Sequence, residues 1–177
     1  MGTTSTLVTL DEYLNTSYEP DMDFVDGVLV RRNVGNQSHG RLQLIIGAYF
    51  RQFRHSHRIE LFGDTRLLVD AKTGRHRIPD VMAVATPFRE GKAVVDVPVI
   101  VVEIKSPDDT FDDIIDRCFE YQELGVPNIL VMDPDKRRAW IFEHGALQIL
   151  SGDSASLLLP DRPAIEFPFG SIFAELG

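Results

Sequence analysis

One stretch of the chain restricts its fold more than any other: Pro98-Val99-Ile100-Val101-Val102-Glu103-Ile104-Lys105-Ser106-Pro107. A run of β-branched apolar residues reads as a buried strand, yet this one ends in Glu103 and Lys105. Strand alternation puts those two side chains on the same face. Charges at the end of a buried strand are costly unless they are paired or hold an ion. Upstream, His76-Arg77-Ile78-Pro79-Asp80-Val81-Met82-Ala83-Val84 reads as a second apolar strand carrying one carboxylate. If the two strands are neighbours, Asp80, Glu103 and Lys105 converge on one point, a site for a hard metal ion and a phosphodiester. From the residues alone, a structural salt bridge among the same three groups explains them equally well.

At 177 residues the chain is long enough for one domain with a sizeable core, taken here as 1–177. No apolar run approaches the roughly 20 residues of a membrane helix. The N-terminal Met-Gly-Thr-Thr-Ser-Thr lacks the charged and apolar regions of a signal peptide. Met1-Gly2 followed by Ser5 or Thr6 has a faint likeness to a myristoylation signal, and chance is the better explanation. Cys118 is the single cysteine, which leaves no intrachain disulfide or cysteine metal cluster and points to the reducing cytoplasm.

The net charge of -9 weighs against tight non-specific nucleic-acid binding, which depends on lysines and arginines releasing counterions. The charge is uneven, however. Arg31, Arg32, Arg41, Arg51, Arg54, Arg58 and Arg66 lie in the first half, with His39, His55 and His57 nearby. Asp108, Asp109, Asp112, Asp113 and Asp116 gather later. A local basic face is therefore compatible with an acidic chain.

Local signals set out the elements. Thr9-Leu10-Asp11-Glu12 is a capping box, with Val8 and Tyr13 placed as a staple, so a short helix starts there. Asp26-Gly27 between apolar pairs marks a hairpin. Leu42, Ile45, Ile46, Tyr49, Phe50 and Phe53 share one face of a helix over residues 37–55. Strands are expected at 59–62 and 66–69. A second amphipathic helix opens at Asp108, Asp109 or Thr110 and stops at Gly125 before Pro127. Strands follow at 128–132 and 139–143, then a tail with a short strand and loops. The order predicts a mixed α/β (α+β) protein: a mixed central sheet flanked by helices, with one crossover helix joining parallel strands.

Pro79-Asp80 and Glu103-Ile104-Lys105 match the motif of the PD-(D/E)XK nuclease superfamily. Further matches are Asp23-Phe24-Val25-Asp26-Gly27, His39 opening the long helix, Ser106-Pro107, and Asp113, Arg117, Tyr121, Gly125-Val126 and Val131-Met132-Asp133-Pro134 in that order. With these the chain resembles the Uma2 family (DUF820) of restriction-endonuclease-like proteins over roughly residues 8–145. Many members have glutamate at the place of Asp23. Many also move the lysine into the following helix; here Lys105 holds the superfamily position and Arg117 the helical one.

The resemblance implies a restriction-endonuclease-like core and a Mg²⁺ (or Mn²⁺) ion on Asp80, Glu103 and the main-chain carbonyl of Ile104, with Asp23 a further candidate. Magnesium keeps several waters and needs few protein ligands, so such a set is sufficient. The ion would make a water acidic enough to attack a phosphodiester, with Lys105 orienting it or neutralising charge on the phosphate. DNA is the implied substrate, and superfamily habit suggests a homodimer, with the apolar Phe167-Pro168-Phe169 a candidate contact. His39, Arg117 and Gln122 are weaker candidates for substrate contact; Arg117 at i+4 from Asp113 suits an ion pair equally, and Tyr121 reads as packing. No phosphate loop, nucleophile elbow or EF-hand loop is present. Three activities are open: a metal-dependent DNA endonuclease, a catalytically silent nucleic-acid- or protein-binding module, and a hydrolase of smaller phosphodiesters.

Overall fold

The computed structural model describes residues 7–177; the expectations for the N-terminal hexapeptide lie outside the described residues. Helix α1 (Leu10–Asn15) is capped by Thr9, whose hydroxyl accepts from Glu12 N–H at 3.1 Å, as the capping box predicts. Strands β1 (Met22–Val25) and β2 (Val28–Arg31) form the expected hairpin. Asp26 and Gly27 both have positive φ (51° and 85°), which a two-residue turn of this hand requires. Helix α2 (Gln37–Arg51) follows, then β3 (Ile59–Gly63), β4 (Leu67–Asp70), β5 (Arg75–Arg77), β6 (Val81–Ala85) and β7 (Pro98–Ile104). Helix α3 (Phe111–Leu124) leads to β8 (Ile129–Asp133), β9 (Arg138–Glu143), β10 (Ala146–Ile149), β11 (Ala155–Leu157), β12 (Ile165–Phe167) and α4 (Phe169–Ala174). Thr110 caps α3, and Gly125 (φ 98°) ends it in the left-handed conformation.

The main sheet has six strands in the order β10-β9-β8-β7-β6-β3. Within it β7 and β8 run parallel, joined by α3, and the other neighbours pair antiparallel. A parallel pair needs such a crossover because a tight turn cannot reverse the chain twice. All seven residues of β7 are buried. Ile100, Val102 and Ile104 pack with Leu42, Ile46 and Phe50 of α2 and with Phe169, Ile172 and Phe173 of α4. Val101 joins the other cluster, with Ile114, Cys118 and Tyr121 of α3. Alternation then carries Glu103 toward α3.

Two features depart from the sequence-based expectation. The single strand expected across His76–Val84 is two, β5 in a four-stranded sheet ordered β2-β1-β5-β4 and β6 in the main sheet. The break falls at Ile78-Pro79-Asp80. Pro79 has no N–H for a ladder, and Ile78 N–H donates to Asp23 Oδ1 at 3.1 Å instead. The tail differs as well: where one short strand and loops are expected, it holds the β11–β12 pair and α4, whose apolar spacing is too short to mark a helix, and the unanticipated β10 precedes it. Phe167 and Phe169 are buried in the core, so they do not offer the dimer contact suggested for Phe167-Pro168-Phe169. Among the described residues no helix is long and apolar enough to cross a membrane.

Candidate active site

The antiparallel register pairs Val81 with Val102, which brings Asp80, one residue earlier, level with Glu103. Both carboxylates are 3% exposed. Asp80 Oδ2 accepts from Ile104 N–H at 2.6 Å, so the side chain takes the place of a missing ladder acceptor. Asp80 Oδ1 meets Arg32 Nη2 at 2.9 Å and His39 Nε2 at 3.4 Å. Glu103 Oε1 accepts from the Tyr121 hydroxyl at 2.6 Å, and its Oε2 pairs with Arg117 Nε at 3.2 Å. Each acid is thus gripped on one oxygen by the scaffold and neutralised on the other by an arginine.

Apart from fully buried Tyr121, these groups line a pocket of about 730 Å³ between the hairpin β1–β2, the start of α2 and the start of α3. Gln43, one turn after His39 on α2, donates to the Asp80 carbonyl at 2.9 Å and to Asp64 Oδ2 at 2.7 Å. Arg32 Nη1 also reaches Asp64, at 3.0 Å. His39 can approach Asp80 because residue 35 is glycine: a Cβ there would lie 2.5 Å from the ring. Eight acidic residues and four arginines line the pocket, so an anionic substrate entering it needs added positive charge. The clustered arginines of the first half do not make a basic face there. Arg54 pairs with Glu60, Arg66 is buried against Asp21, and Arg41 donates to the Glu175 carbonyl.

Burial raises the Glu103 pKa, and the charge of Asp80 adds to it, against the opposing pull of Arg117. Burial likewise raises that of Asp23 despite Arg77. For His39 burial acts downward, but the hydrogen bond and charge of Asp80 outweigh it and hold the pKa above 6.5. The stabilising His39–Asp80 contact is therefore complete below about pH 6.5 and fades as pH rises through the folded-state pKa. In an NMR titration the His39 ring should titrate above 6.5 in the wild type and lower in Asp80→Asn. An unchanged midpoint would remove Asp80 as the cause.

Of the residues singled out from the sequence, Asp80, Glu103, Ile104, Asp23, His39 and Arg117 line this one pocket. Lys105 and Gln122 are engaged elsewhere. Lys105 Nζ donates to the Ser106 carbonyl at 3.0 Å, and Gln122 Oε1 accepts from Gly145 N–H at 3.0 Å, in the β9–β10 turn. Asp23 is held by Arg77 Nη1 at 3.0 Å as well as by Ile78 N–H. Arg77 in turn forks onto Glu120 of α3, tying the smaller sheet to that helix. Arg117 pairs with Glu103 rather than Asp113, which instead accepts from the Thr110 hydroxyl. Sequence reasoning missed Arg32, Gln43 and Asp64, and it undervalued Tyr121. Helical spacing from His39 marks Gln43; nothing local marks Arg32.

Asp80 and Glu103 offer hard anionic oxygens side by side, a donor set that fits Mg²⁺ or Mn²⁺. Among the described residues no group of three or more His, Cys, Asp or Glu side chains is arranged to hold a metal. The fit therefore rests on two carboxylates, a main-chain carbonyl and retained waters, and it requires Arg32 and Arg117 to yield their oxygens.

No curated protein matches the chain. A crystal structure of "a putative nuclease belonging to DUF820" from Anabaena variabilis ATCC 29413 superposes with a TM-score of 0.80 at 17% identity. The alignment covers 96% of this chain and 99% of that one, so the two share a fold. A cryoEM structure of a DrdV-DNA complex aligns with a TM-score of 0.39 at 16% identity, over 76% of this chain and 10% of that one. The sequence profile of the Uma2 family, described as "Putative restriction endonuclease", matches residues 10–168, and the chain belongs to that family.

Proposed function

We propose that the protein is a Mg²⁺- or Mn²⁺-dependent endonuclease that hydrolyses phosphodiester bonds in DNA. The observation that carries this reading is the meeting of two buried carboxylates, Asp80 and Glu103, in an open pocket of a chain from a nuclease family. Asp80, Glu103 and the Ile104 carbonyl would hold the cation, with Asp23 supporting from the adjoining sheet. When bound, the cation acidifies water and neutralises phosphate charge. Tyr121 fixes the rotamer of Glu103, and the Ile104 N–H fixes that of Asp80. Lys105 leaves its bond to the Ser106 carbonyl and swings its flexible stem to the phosphate. The reading takes residues 1–177 as one cytoplasmic domain that dimerises, placing one site on each DNA strand; sedimentation velocity tests the dimer.

Single-stranded, duplex and branched DNA should be cut with Mg²⁺ or Mn²⁺ and left intact with EDTA. Lys105→Ala should lower the rate about 100-fold, the usual effect of removing one charge-stabilising group. A second reading draws on the arginines that already neutralise Asp80 and Glu103: a silent binding module needs no metal. Intact DNA in every condition, with no heat of Mn²⁺ binding in calorimetry, would favour that module.

A further inference from the structure

We propose that Arg32 and Arg117 form a phosphate clamp parked on the cation-binding carboxylates, so that a divalent cation and a phosphodiester bind cooperatively. The inference rests on Asp80 and Glu103 being the cation ligands. Both arginines line the pocket, and their side chains keep 24% and 20% of their surface exposed, whereas the acids they hold are almost fully buried. Arg117 uses only Nε on Glu103; its two terminal nitrogens have no hydrogen-bond partner among the described residues. Arg32 divides its two terminal nitrogens between buried Asp80 and exposed Asp64. Glu103 lies within the electrostatic reach of both guanidinium groups.

The two ligands relieve each other's penalty. A cation alone must displace the arginines from Asp80 Oδ1 and Glu103 Oε2, leaving two guanidinium groups beside a dication. A phosphodiester alone would draw the arginines away and leave two buried carboxylates without a counterion, which is strongly unfavourable. When both bind, the cation takes the carboxylates and the arginine forks take the phosphate oxygens, a geometry guanidinium suits better than ammonium. Both buried carboxylates then keep a counterion and both guanidinium groups face an anion, while exposed Asp64 returns to water; linkage makes the mutual enhancement equal for both ligands.

The test follows free Mn²⁺ by its electron paramagnetic resonance signal, titrated with protein in the absence and presence of dimethyl phosphate, a diester the enzyme need not turn over. Wild-type protein should bind Mn²⁺ about 5- to 150-fold more tightly with dimethyl phosphate present, the usual span of coupling between sites. Arg32→Gln and Arg117→Gln should each bind Mn²⁺ more tightly alone and lose most of the coupling. If burial of an unpaired Glu103 prevents Arg117→Gln from folding, Arg117→Lys retains the charge without the fork and should still weaken the coupling. Mn²⁺ binding that ignores dimethyl phosphate would overturn the clamp and leave the cation site standing. Coupling undiminished in the arginine variants would also overturn it. Absence of Mn²⁺ binding in every mixture would overturn the cation site itself, and the clamp with it.

Discussion

Asp80→Asn is expected to lower metal-dependent DNA cleavage by about 1,000-fold or more, since a metal contributes several kcal/mol to the transition state. Asparagine keeps an oxygen for the Ile104 N–H, so the junction of β6 and β7 should hold. Its amide then faces Arg32 and His39 donor to donor, with no charge to offer either. The variant should therefore be folded by circular dichroism and defective in Mn²⁺ binding and cleavage alike. Cleavage within about tenfold of wild type would exclude Asp80 as a ligand and remove the proposed site.

Arg66→Met is expected to cost about 3 kcal/mol of stability. The Arg66 guanidinium donates to the carbonyls of Tyr13 at 2.6 Å and Thr16 at 2.9 Å, and it grips Asp21 at 2.6 and 2.9 Å. It also lies 4.1 Å from the centre of the Tyr13 ring, a favourable cation–π distance. Methionine fills similar space but offers no donor, so Asp21 and two carbonyls lose their partner together. For a chain of this length the melting temperature should fall by about 6–12 °C. Arg66→Lys, with the charge but not the fork, should lie between. A shift of less than about 2 °C for Arg66→Met would show that water replaces these bonds without penalty.

Elements built on local chemistry were legible in the sequence. Thr9, Asp26-Gly27, Thr110 and Gly125 act through neighbours within four residues, and each forms the cap or turn expected of it. The carboxylates of the candidate site were legible too, because a charged residue ending an apolar strand stands out without knowledge of its partners. Two of the groups that hold them, Arg32 and Tyr121, were not. Arg32 reaches Asp80 across 48 residues and Tyr121 reaches Glu103 across 18, distances over which periodicity carries no information. Lys105 shows the limit of strand alternation: β7 ends at Ile104, so the two-residue period no longer governs the next side chain. The His76–Val84 stretch shows another limit. Its composition is strand-like on both sides of Pro79, and only the missing N–H divides it between two sheets.

The bond from Asp80 Oδ2 to Ile104 N–H has a consequence for descent. One oxygen serves the architecture and the other faces the pocket, so on the proposed function two separate demands fall on the same residue. A descendant released from catalysis would still need an acceptor for Ile104 and would keep aspartate or asparagine at position 80. The His39 side chain has no such bond to the backbone, so on the proposed function it is freer to change than Asp80, and its replacement by a smaller residue would release position 35 from glycine.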